Sequence, residues 1–178
     1  MHDRGAQAHT QAPTLAFAAM DDGTASGWAG VIAGSVYLAA QMMFVTVIRE
    51  DSPWIPLQRI SALLLGPDAL LPPGKISLSI AGFAVLIHFA LAFCYGRLIG
   101  RVVRHVRPAI GWVVGAVCGV AIYALNFKLI GELIFPWFAE SQGAVTLFDH
   151  ALFGVVAALS FITLRRGAPV ATDGSSSG

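Results

Sequence analysis

Residues 78–100 read LSIAGFAVLIHFALAFCYGRLIG, and this stretch decides the fold. Apart from Ser79, His88 and Arg97, its side chains are small, apolar or aromatic. A helix that crosses a bilayer needs about 20 mostly apolar residues. Three further stretches meet that requirement, at 28–48, 110–135 and 145–164. None of the four alternates apolar and polar side chains, as the strands of an outer-membrane barrel must. Hydrocarbon offers backbone N–H and C=O groups no partners, so each run has to close its own hydrogen bonds as a helix. The expected fold is all-α: a four-helix transmembrane bundle over residues 28–166, with a mobile N-terminal tail at 1–27 and a disordered tail at 167–178.

Composition agrees. The chain has 178 residues, of which 56% are hydrophobic and 12% charged. A soluble domain carries about 45–50% apolar and about 25% charged residues. A net charge of +1 gives no attraction for nucleic acid. The two cysteines, Cys94 and Cys118, lie in apolar segments without CxxC spacing, so they read as buried thiols. The apolar run 15–20 is too short for a secretory signal and ends at Asp21-Asp22.

Orientation follows from lysine and arginine in the short connections. Arg97, Arg101, Arg104 and Arg107 follow the second span without an acid, and Arg165-Arg166 close the fourth. Glu140, flanked by Glu132 and Asp149, marks the opposite side, so both termini are expected in the cytoplasm. Tryptophan favours the interface, where its ring is half buried and its N–H stays wet. Trp28 and Trp112 open spans on the inner side; Trp54 and Trp137 follow spans on the outer side. The long first connection holds Ser52-Pro53, which resembles a helix start. Leu57, Ile60, Leu63 and Leu64 then share one face, and Gln58, Arg59 and Ser61 lie off it. Gly66-Pro67 ends the pattern, so a short amphipathic helix on the outer surface is expected.

The chain also has the look of a duplicated helical hairpin. Gly27-Trp28, Gly30 and Gly34 correspond to Gly111-Trp112, Gly115 and Gly119. A tyrosine (Tyr37, Tyr123), an amide (Gln41, Asn126) and a Pro-Trp pair follow in each half, and the next span carries one histidine, His88 or His150. Both halves run the same way, so their axis would follow the membrane normal. Glycines four apart make a groove that a second helix backbone can approach, within the bundle or in a homo-oligomer.

A helix rises about 1.5 Å per residue, which puts Gln41 roughly 20 Å from Trp28 and Asn126 roughly 21 Å from Trp112. The same rise puts His88 roughly 20 Å from Arg101 and His150 roughly 22 Å from Arg165. Four polar side chains from four helices thus reach one level, with Lys128, Glu132 and Asp149 at or above it. Such groups face a bundle interior. They serve as a hydrogen-bonded layer, as two axial ligands of a b-type haem, as a proton- or ion-handling site, or as the polar end of a lipid or quinone pocket under the outer helix.

The glycine-rich opening 27–34, the stretch from His88-Phe89 to Tyr95-Gly96, and His150-Ala151-Leu152-Phe153-Gly154 resemble the YagU-like small inner-membrane proteins of bacteria. The resemblance covers about residues 27–165. It implies a four-span bundle in the plasma membrane, of unassigned function, and supplies no catalytic residues.

Enzyme motifs are missing from the sequence: there is no phosphate loop, no GxSxG and no HExxH. Ser35, Ser61, Ser77, Ser79 and Ser160 have no base at a recognisable spacing. The chain therefore reads as a non-enzymatic membrane protein, free-standing or an accessory subunit of a larger membrane complex. The alternatives are a haem-binding electron carrier using His88 and His150, or a proton- or ion-linked permease or sensor.

Overall fold

In the computed structural model the protein is an all-α bundle, described here over residues 19–70, 72–135 and 143–167. Pro136-Trp137, Glu140 and most of both expected tails lie outside these residues. Four helices are long and apolar enough to cross a membrane: α1 (Asp22–Val47), α3 (Leu78–Val103), α4 (Pro108–Ile134) and α5 (Ala144–Arg166). A shorter helix, α2 (Ile55–Leu65), joins the first two. The outward faces are apolar: Leu86, Val117 and Phe148 are each 64% exposed. Surface of that kind needs acyl chains as its solvent.

α1 starts at Asp22, ahead of the expected Trp28, because Asp21 caps it. The Asp21 carboxylate accepts from the amides of Gly23 (2.9 Å) and Thr24 (3.0 Å), two of the four N–H groups that a helix start leaves open. The start of α1 is tied to the end of α5. Met20 N–H donates to the Leu164 carbonyl (3.1 Å), and Arg165 lies 3.8 Å from the Asp22 carboxylate.

The helices meet through small residues. On α3, Ala84, His88, Ala92, Gly96 and Gly100 recur every fourth residue and are all buried. This ridge lies in the α1 seam so closely that a Cβ on Gly30 would overlap the Ala92 carbonyl oxygen and stand 2.9 Å from Gly96 Cα. α4 meets α5 in the same way: a Cβ on Gly115 would overlap the Gly154 carbonyl oxygen and stand 2.6 Å from Ala158 Cβ. α1 also packs along α5, whereas α3 and α4 touch little. The core lies between α1, α3 and α5, around Ala29, Ala33, Ile99, Phe153 and Phe161.

α2 corrects two expectations. It begins at Ile55 with Trp54 at the cap position and Pro56 in the first turn, not at Ser52-Pro53. The Ser52 hydroxyl is spent elsewhere, donating to the Gly74 carbonyl at 3.2 Å as the chain returns towards α3. The buried face also differs: Leu57, Gln58, Ser61 and Ala62 are buried, and Leu64 is exposed. Gln58 turns inward because it organises the return loop. Its Nε2 donates to the carbonyls of Lys75 (2.8 Å) and Pro72 (3.1 Å), and its Oε1 accepts from Gly74 N–H (2.7 Å). Gly66 ends the helix as expected, at φ 82°.

Candidate functional site

Beneath α2, between the four long helices, lies a cavity of about 140 Å³. α1 contributes Tyr37, Gln41 and Phe44, α3 contributes His88 and Tyr95, α4 contributes Asn126 and Phe127, and α5 contributes Thr146, His150 and Phe153. Val45 of α1, Arg49 just beyond that helix, and Arg59, Ile60 and Leu63 of α2 also line it. The lining is mainly apolar and aromatic with a few convergent polar groups, the make-up of a small-molecule pocket.

Local sequence explains how the polar groups arrive. His88 belongs to the small-residue ridge of α3, so it points into the bundle and is buried at 8% exposure. Its Nε2 lies 2.8 Å from the Gly34 carbonyl oxygen, which only accepts, so Nε2 carries the proton and donates. His150 is 6% exposed. Its Nδ1 donates to the Thr146 carbonyl one turn back, at 2.8 Å, and the Tyr37 hydroxyl oxygen stands farther off at 3.4 Å. In the neutral ring, Nε2 of His150 is therefore an acceptor. Asn126 comes from an eight-residue stretch, Ala124–Gly131, where α4 widens into a π-helix. Its Oδ1 accepts from the Tyr95 hydroxyl. Gln41 donates through Nε2 to the Asp149 carboxylate, which is 4% exposed.

The expected polar layer thus separates into pairs. Gln41 meets Asp149, and Asn126 meets Tyr95. Lys128 and Glu132 pair with each other at 3.3 Å, on side chains 57% and 50% exposed, outside the buried group. Lys128 and Glu132 therefore stand apart from the buried His88, Asp149 and His150. Tyr37 was not among the expected site residues, yet its ring stands between the two imidazoles, stacked on His88 at 5.9 Å and edge-on to His150 at 5.0 Å. Tyr95 was missed in the same way. Both carried a signal in their spacing: Tyr37 lies seven residues after Gly30, and Tyr95 seven after His88, so each shares its helix face with a buried residue.

A bis-histidine haem does not fit. It needs both ligating nitrogens aimed at one iron with a flat macrocycle between them. Here Tyr37 fills that space, and Nε2 of His88 is committed to Gly34. The cavity is also small: one of about 150 Å³ accommodates a single benzene ring. Among the described residues, no three His, Cys, Asp or Glu side chains form a group able to hold a metal ion.

Fold and surface together define a multi-pass membrane protein built as a four-helix bundle with a covered internal pocket. The chain matches no protein-family model, no curated protein and no solved structure.

Proposed function

We propose that this protein is a non-enzymatic, ligand-holding protein of the bacterial inner membrane, whose cavity beneath α2 takes a small lipid-soluble molecule. The observation that carries the reading is the cavity itself: about 140 Å³ of space kept open among four spans that elsewhere pack backbone against backbone. Close packing is the rule in protein interiors, and a void costs the contacts its lining loses. An occupant restores those contacts. The test is binding of an environment-sensitive apolar dye to the protein in lipid nanodiscs. Val45→Phe, at a buried lining position, fills the cavity and is expected to abolish dye binding while the fold is kept. Dye bound equally by both forms counts against the reading.

Within this proposal both termini face the cytoplasm. Support comes from the arginines at one end of the bundle, Arg97, Arg101 and Arg104 at the close of α3 and Arg165-Arg166 at the close of α5. A reporter fused after α5 that is active only in the periplasm would sink the orientation. Membership of the YagU-like family rests on the motifs quoted above. The duplication draws support from matching contacts: Gly30 lies against Ala92, four residues after His88, and Gly115 against Gly154, four residues after His150.

A further inference from the structure

Resting on the ligand-holding reading, we infer that the cavity receives a single hydroxylated ring, the hydroquinone head of a lipid-soluble quinol, inserted head-first with its tail leaving beneath α2. Three independent observations point there.

The first is size. A cavity of about 150 Å³ accommodates one benzene ring, and this one measures about 140 Å³. Its depth takes one six-membered ring, and the rest of a larger ligand would lie in the open mouth beneath α2. The second is the wall. Tyr37, Phe44, Tyr95, Phe127 and Phe153 bring aromatic rings from all four spans. Aromatic partners favour offset-stacked and edge-to-face contacts with a flat guest. An acyl chain would gain only ordinary dispersion from the same surface.

The third is the hydrogen-bonding capacity left over. His150 has Nδ1 committed to Thr146, and among the described residues its Nε2, an acceptor, has no partner. Asn126 spends Oδ1 on Tyr95, and its Nδ2, a two-proton donor, has no partner among the described residues. For the buried His150 an unmet acceptor is costly, while Asn126 is half-buried and offers its donor at the cavity wall. An acceptor and a donor offered by facing helices suit a ligand that both donates and accepts. A hydroquinone does so: one hydroxyl donates to His150 Nε2, and the opposite oxygen accepts from Asn126 Nδ2. The oxidised quinone has two carbonyl oxygens and no donor, so it leaves His150 Nε2 unmet. The two cations of the lining, Arg49 and Arg59, lie beside and on α2, so a carboxylate head would be drawn to them and away from His150 and Asn126; oleic acid tests that placement. At the other end Ile60 and Leu63 of α2 line the way out, apolar enough for an isoprenoid or alkyl tail.

The experiment uses the full chain in phosphatidylcholine nanodiscs under anaerobic conditions, with displacement of the apolar dye as readout. The probes are a decyl-hydroquinone with no other ring substituent, its quinone, and oleic acid. The quinol is expected to displace the dye and to bind about tenfold more tightly than the quinone, the equivalent of one neutral hydrogen bond. His150→Phe keeps the ring volume and removes the acceptor, so it erases the preference for the quinol. Asn126→Leu weakens both redox forms; it serves as the independent variant should His150→Phe fail to fold. If oleic acid displaces the dye and the quinol does not, the ring assignment is overturned while the ligand-holding reading stands. Equal binding of quinol and quinone overturns the role of His150 and with it the hydroquinone assignment. No dye binding by the unaltered protein overturns both readings.

Discussion

Consider Gly119→Ala. A Cβ at this position would overlap the His150 carbonyl oxygen and stand 2.8 Å from the carbonyl carbon and 3.1 Å from Ala151 Cα. Non-bonded carbons are comfortable at about 3.5–4.0 Å. The obstruction is backbone on both sides, so no rotamer change relieves it, and α4 must retreat from α5 by roughly 0.5–1 Å. A gap of that size forfeits a quarter to a half of the dispersion energy of each atom pair it opens. The seam includes the reciprocal Gly115–Gly154 contact, which opens with it. Overpacking of this kind costs about 1–3 kcal/mol. Alanine recovers about 0.5–1 kcal/mol of helix propensity, so the net loss centres on about 1 kcal/mol. Gly82→Ala is the matched control, since no heavy atom lies within 4 Å of its added Cβ. It receives the propensity gain alone and stabilises by about 0.5–1 kcal/mol. Unfolding in mixed micelles, followed by circular dichroism, reads both. Opposite signs are expected. A Gly119→Ala protein as stable as the Gly82→Ala protein would refute the close approach of α4 and α5.

Two further outcomes follow from the surroundings of the site. Gln58→Leu removes the side chain that holds the return loop, leaving Gly74 N–H without its acceptor; a loss of about 2 kcal/mol and faster hydrogen exchange at Gly74 and neighbouring amides are expected. Unchanged exchange there would mean that the loop stands without Gln58. At Asp21, hydrogen bonds from the Thr24 hydroxyl and from the amides of Thr24 and Gly23 hold the carboxyl below its ordinary 3.8. A depressed carboxyl stabilises the fold above its unfolded pKa and loses that contribution as pH falls through the folded value, so the first turn of α1 frays only in acid below about pH 3.8. Asp21→Asn keeps a cap without the charge, and fraying by exchange at Thr24 should then show no such pH step.

The spans were legible in the sequence because lipid imposes one rule on every residue of a crossing segment, and length plus apolarity is enough to read it. Close approaches do fall at Gly30 and Gly115, glycines that have a second glycine four residues on. On α3 the same ridge is built mainly from alanine with His88 in its middle, and a GxxxG pattern overlooks it. At α2 the polarity of Gln58 misled. A glutamine that satisfies four backbone groups of a loop is buried for the sake of its hydrogen bonds, and that depends on where residues 69–75 return. Gln41, His88, Asn126 and His150 line one cavity, and their pairing was not readable from helical rise. Whether Gln41 meets Asp149 or Asn126 depends on helix rotation, and the π-turn in α4 alters rotation without a marker in composition.

That wide turn has a consequence for how the gene tolerates change in length. A π-stretch stores a surplus residue relative to an ordinary helix. Deleting one residue, such as Leu125, would let α4 close as a regular α-helix, an outcome quite unlike the frameshifted packing that a deletion causes elsewhere in a crossing segment. Residues beyond the excision, Lys128 and Glu132 among them, would keep their bearing, and the change would be confined to the turn that carries Asn126 to the pocket wall. Natural insertions and losses of single codons in α4 are therefore best accommodated between Ala124 and Gly131, and each would retune the pocket while the span itself survives.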